Sequence, residues 1–85
     1  MKDIKTDKIN RFSVGIDEKK RKHFISFPVS NPYVDYEEFY EISELKFEEY
    51  LSDMSTALEF VKECKERKHD DLLLQKPGKL RGIPS

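Results

Sequence analysis

VDYEEFYEI, residues 34–42, is the stretch whose conformation decides the fold, because it reads two ways. Wound as a helix, it would line up Tyr36, Phe39, Tyr40 and Phe47 as one stripe. Extended, it puts Val34, Tyr36, Glu38, Tyr40 and Ile42 on one face and Asp35, Glu37, Phe39 and Glu41 on the other. The strand is preferred, because the next residues carry their own helix start. Ser43 is an N-cap, and Ile42 with Phe47 fits a hydrophobic staple around a helix opening at Glu44.

Upstream, SNPY (residues 30–33) is turn chemistry. Before it, residues 23–29 alternate, with Ile25, Phe27 and Val29 aligned. Pro28 has no N–H to give a ladder, which puts that strand's end at an edge or beside a bulge. Residues 11–16 alternate too, with Phe12, Val14 and Ile16 on one face, and a polar connector (residues 17–21) makes the pair a β-hairpin. Residues 1–8 are charged and aperiodic and are expected to fray.

Downstream, residues 44–52 read as a short helix with Leu45, Phe47, Tyr50 and Leu51 as its apolar positions. Asp53 caps a second helix, from residue 54 to about residue 68. Met54, Ala57, Leu58, Val61 and Cys64 recur on its core face, and Glu63 with Arg67 forms an i,i+4 pair. Leu72, Leu73 and Leu74 could add a short strand, Pro77-Gly78 turns the chain out, and residues 79–85 form an exposed tail. The expected order is βββααβ: one α+β domain over residues 1–85, a small antiparallel sheet of three to four strands packed by two α-helices. Residues 1–8 and 79–85 are its flexible termini.

The chain has 85 residues, 36% hydrophobic and 39% charged, and its aromatic rings argue against full disorder. So small a core leaves modest stability. The single cysteine, Cys64, excludes an internal disulfide and favours a reducing compartment. Residues 1–10 hold no apolar signal segment, and no apolar run approaches the ~20 residues that span a bilayer. The expectation is a cytoplasmic protein with no membrane partner; its oligomeric state stays open.

Three groups could carry chemistry. His69-Asp70-Asp71 could act as a base or hold a metal, but adjacent side chains just past a helix end diverge, so a solvated loop is the better reading. Cys64 sits on the apolar helix face and reads as core rather than nucleophile. The basic run Lys19-Lys20-Arg21-Lys22-His23 lies beside Phe24 and could suit nucleic acid. Yet it spans a hairpin connector in a chain of net charge −1, and a solvated turn is preferred. No phosphate loop or zinc motif is present. No enzyme activity, cofactor or metal is expected.

Charge is distributed unevenly. Residues 1–30 hold eight Lys/Arg against four Asp/Glu, residues 31–63 two against ten, and residues 64–85 six against three. The acidic middle alternates with rings, which suits docking on a basic protein: complementary fields steer encounter and rings supply contact area. On the strand register, Phe39 stands among Asp35, Glu37 and Glu41 as an anchor within a charged rim, and Glu44 and Glu48 would extend it along the next helix.

FPVSNPYVDYEEFYEIS (residues 27–43), ALEFVKECKERKHDDLLL (57–74) and PGKLRGIP (77–84) resemble small immunity proteins of bacterial contact-dependent and other polymorphic toxin systems. Residues 1–26 contribute nothing to that likeness. The resemblance implies a small cytoplasmic protein that binds one cognate toxin domain, frequently a nuclease, and blocks it. An acidic surface occupying a basic nuclease cleft agrees with this on physical grounds. The expected partner-binding residues are Asp35, Glu37, Phe39, Glu41, Glu44 and Glu48. The alternative is a small nucleic-acid-binding regulator using residues 19–22 and the basic tail through Arg81.

Overall fold

The structure, a computed structural model, describes residues 1–75 and 81–84. Its elements run β1 (Lys2–Asp7), β2 (Phe12–Asp17), β3 (Lys22–Ser30), β4 (Asp35–Ile42), α1 (Glu44–Ser52), a 3₁₀ turn (Met54–Ala57), α2 (Leu58–Lys65), a second 3₁₀ turn (Asp70–Leu72) and β5 (Ile83–Pro84). The class is α+β. An antiparallel sheet ordered β1-β2-β3-β4, with β5 beside β3, carries the two helices on one face.

The ambiguous stretch is a strand. Tyr40 of β4 pairs with Ile25 and Ile42 with His23, so the alternation sends Tyr36, Glu38, Tyr40 and Ile42 towards the helices. They join Phe12, Val14, Ile25, Phe27 and Val29 from the sheet and Phe47, Tyr50, Ala57, Val61 and Cys64 from the helical layer in one core. Helix α1 starts where expected: the Ser43 hydroxyl accepts the Lys46 N–H, and Phe47 drops into the core beside Ile42. Pro28 lies beyond Ser26, the last β3 residue paired with β2, so its missing N–H costs that ladder nothing.

Several expectations are corrected. Residues 2–7 do not fray but form β1, held by its ladder to β2 and by the Lys5 ammonium donating to the Leu51 carbonyl. Leu45 is 79% exposed, since its neighbours Phe47 and Tyr50 already fill the helix's core face, and Leu58 is exposed as well. Asp53 does accept the Ser55 N–H, but what it opens is a 3₁₀ turn, with α2 following. That helix stops at Lys65, because Arg67 adopts φ 62°. The Arg67 N–H then reaches the Cys64 carbonyl and the Lys68 N–H the Glu63 carbonyl, a Schellman end with arginine where glycine is usual. Glu63 pairs with His69 at 2.7 Å, and Arg67 instead donates to the Gly82 carbonyl.

At the C-terminal end, Leu73 makes one bridge to Tyr40, and the Leu74 N–H donates to the Phe39 carbonyl, short of a strand. The expected turn at Pro77-Gly78 lies outside the described residues, as do residues 79, 80 and 85 of the expected tail. Residues 81–84, by contrast, are docked: Gly82 is buried and β5 pairs with Val29 and Ser30.

Candidate protein-binding face

The face of the sheet turned away from the helices is ordered by the strand registers. Ile83, Ser30 and Asp35 form one row; Pro28 and Glu37 the next; then Thr6, Ser13, Ser26 and Phe39; then Asp3, Gly15, Phe24 and Glu41. Register slips between Asp3 and Lys5, leaving Ile4 as a bulge. Bulges add twist, and here β1's first residues arch over this face. A Cβ on Gly15 would run into the Lys2 carbonyl and the Phe24 ring. The arch carries Asp3 close enough for its charge to reach Glu37. Desolvation first, and Asp3 second, hold the Glu37 carboxyl above its ordinary range.

The structure brings together some of the six expected residues and separates others. Asp35 and Glu37 are exposed on this face, and neither forms an ion pair among the described residues. Glu41 shares the face but pairs with Lys22 at 3.1 Å across the ladder. Phe39 is half-buried, edge-on to the fully buried Phe24 with ring centroids 5.0 Å apart. It is a packed wall rather than a free anchor. Glu44 and Glu48 are exposed, but on a helix packed against the opposite side of the sheet, so they belong to a different surface.

A freer ring stands nearby. Tyr33 is 82% exposed in the loop before β4, next to exposed Val34, with Ile83 exposed two strands over in the row of Asp35. The loop is rigid by construction: the Asn31 side chain accepts the N–H groups of Tyr33 and Val34. Sequence reading treated SNPY only as a turn. The available signal was a Tyr-Val pair at a loop tip, where apolar side chains have nothing to pack against.

Glu38 shares the face of Tyr36, Tyr40 and Ile42, as the alternation predicts, and that face is the core side; its partner is one the sequence does not reveal. It is 4% exposed and receives Arg81 through Nε at 2.9 Å and Nη2 at 3.0 Å. The Tyr40 and Tyr36 hydroxyls donate to the same carboxylate at 2.8 and 3.1 Å. Arg81 also forks onto Asp70 at 2.7 and 2.9 Å. Burial alone would raise the Glu38 carboxyl, but these donors outweigh it and hold it below its ordinary value. Asp70 is lowered chiefly by Arg81, and the Tyr40 hydroxyl is raised by burial and by Glu38. The cluster is a clamp that fastens residues 81–84 to the sheet.

The other candidates fall to structural roles. His69 stacks on Phe60 with centroids 4.9 Å apart and pairs with Glu63, while Asp70 belongs to Arg81, so the triplet does not converge. No group of three metal-ligating side chains gathers among the described residues. The Cys64 thiol is buried in the core and pushed up to about 12 by desolvation, which makes it unreactive at neutral pH. Lys19, Lys20 and Arg21 are exposed at the β2–β3 turn, but Phe24, the ring beside them, is fully buried and cannot stack a base. No described helix is long and apolar enough to cross a membrane. Comparison with protein-family models, curated proteins and solved structures returns no match.

Proposed function

We propose that this chain is an immunity protein that binds a basic bacterial toxin domain of the nuclease kind and neutralises it by occupying its cleft. The observation that carries the reading is the outer surface of β4. Asp35 and Glu37 stand there exposed and without ion pairs among the described residues, the charge of Asp3 on β1 reaches Glu37, and Tyr33 projects from the loop before them. Unpaired carboxylates attract a cationic surface, and an exposed ring gives it something to close on. Mechanistically the block is occlusion: the carboxylates take the places of substrate phosphates, and the protein performs no bond-breaking step of its own. Glu41 adds to the rim through its shared Lys22, Phe39 walls the surface, and Glu44 and Glu48 add to the long-range field. A cytoplasmic site of action fits the single reduced thiol.

The reading expects a large secreted protein with a variable C-terminal domain to be encoded next to this chain's gene, and the test is co-expression with that domain. The reading expects a stable 1:1 complex, loss of the domain's toxicity, and loss of both on combining Tyr33→Ala with Glu37→Lys. Absence of a complex with that domain, or binding of generic DNA or RNA that falls steeply with salt, contradicts it and supports the basic-turn alternative.

A further inference from the structure

Beneath the arch of β1, this same face holds a groove of about 420 Å³, walled by Asp3 and Thr6 on one side and Glu37 on the other, with Ser13, Ser26 and Pro28 as its floor. The hydroxyls of the floor are unequal. Thr6 and Ser13 satisfy each other at 2.9 Å. Ser26 lies between Ser13 and Phe39 in the row, completely buried, and its Oγ is the one buried side-chain oxygen or nitrogen without a partner among the described residues. Natural folds seldom leave such a group unpaired without a use for it. The Asp3 and Glu37 carboxylates, both in the groove's lining, repel each other, and neither forms an ion pair among the described residues. Asp7, which also lines the groove, is already committed to the Ile9 and Asn10 N–H groups of the β1–β2 turn. Lys8 and Arg11, at that turn, also line the groove and are exposed, so the groove has a basic end beside Asp7 as well as the acidic pair Asp3 and Glu37.

We propose that the groove receives one cationic side chain, an arginine or lysine of the partner protein, whose N–H donors reach Glu37, Asp3 and the Ser26 hydroxyl. A planar guanidinium or an ammonium carries several donors and no acceptor, which matches the Asp3–Ser26–Glu37 part of the groove, two carboxylates and one unused hydroxyl. An anion would meet the repulsion of both acids, and an apolar side chain would leave all three groups dry and unpaired. The inference rests on the protein-binding reading of this face and names the group the face grips.

The experiment titrates the intact ¹⁵N-labelled chain at pH 7 with N-acetyl-arginine amide and, as the uncharged control, N-acetyl-norleucine amide, following backbone amide shifts. One side chain without its protein binds weakly, with a dissociation constant on the order of 1–50 mM. Saturable shifts are expected at Ser13, Ser26 and Glu37 with the arginine compound alone. Binding should weaken about tenfold in Glu37→Gln and in Asp3→Asn, and a few-fold in Ser26→Ala. Ser26→Ala removes an unpaired hydroxyl and so keeps the fold, which its thermal midpoint verifies. Equal shifts from the norleucine compound, unchanged affinity in Glu37→Gln, or no saturable shift at these residues overturns the inference. If the groove ignores arginine while the toxin domain is still bound and neutralised, only this inference fails. If arginine binds and no toxin domain does, the groove stands and the toxin reading falls.

Discussion

Glu38 is a carboxylate sent by strand alternation into an apolar layer, and Arg81 is what makes that tolerable. Their bidentate contact is nearly dry, with the arginine side chain 15% and the glutamate 4% exposed. Removing one member of such a pair strands the other's charge, at a cost of about 3–5 kcal/mol. Arg81→Ala should therefore lower the thermal midpoint by well over 10 °C in a chain this short, as read by circular dichroism. Arg81→Lys should recover only part of that loss, because an ammonium cannot fork onto two carboxylates. A midpoint unchanged in Arg81→Ala would mean that the clamp is ornamental. Half of the clamp was legible: the alternation of residues 34–42 aligned Glu38 with Tyr36 and Tyr40, and a buried carboxylate demands a cation. Which cation was not legible, since Arg81 is 43 residues away and sat in a stretch that reads as a charged tail.

The elements of the sheet are joined by one device used twice. Asp7 accepts the N–H groups of Ile9 and Asn10, and Asp17 those of Lys19 and Lys20; four residues after each aspartate an arginine takes the left-handed conformation, Arg11 at φ 57° and Arg21 at φ 54°. That conformation costs a side-chain-bearing residue roughly 1–2 kcal/mol. Arg21→Gly should thus raise stability to urea by up to about 1 kcal/mol, offset in part by the entropy glycine adds to the unfolded chain. A fall in stability would show that Arg21 holds something the turn geometry does not require. Ser43→Ala should cost about 0.5–2 kcal/mol through loss of the α1 cap. Helix α1 was readable because its cap and staple are local. The strand β1 was not: KDIKTD has no apolar period, and its conformation is imposed by pairing with β2 and by the bulge at Ile4. The second helix was overextended because charges suited to a helix's last turn are equally at home beyond it, and the stop is set by the backbone at Arg67.

Across the whole molecule, acids of opposite tendency set the response to pH. Glu38 and Asp70 lie below their ordinary values of 4.5 and 3.8, so their stabilisation is present above those values and is lost as pH falls through the depressed ones. Glu37 lies above 4.5, so its ionised form opposes folding at neutral pH and that opposition vanishes in acid. Glu37→Gln should accordingly raise the thermal midpoint at pH 7, with the gain shrinking towards pH 4, while Arg81→Ala should flatten the acid limb of the wild-type curve. A Glu37→Gln protein no more stable than wild type at pH 7 would mean that neither burial nor Asp3 burdens the ionised Glu37 carboxylate. The acidic middle of the chain was legible as charge but not as shape. Strand β4 and the helices divide its carboxylates among the core and two surfaces, and the arch of β1 adds Asp3 from outside the acidic middle. The account is tested most directly by the association rate of the toxin domain with wild type and with Glu37→Lys/Glu41→Lys, at roughly 20 and 150 mM salt. It predicts a wild-type rate that falls with salt and a double reversal about tenfold or more slower at low salt, with its salt dependence flattened. A double reversal that associates as fast as wild type at low salt contradicts it.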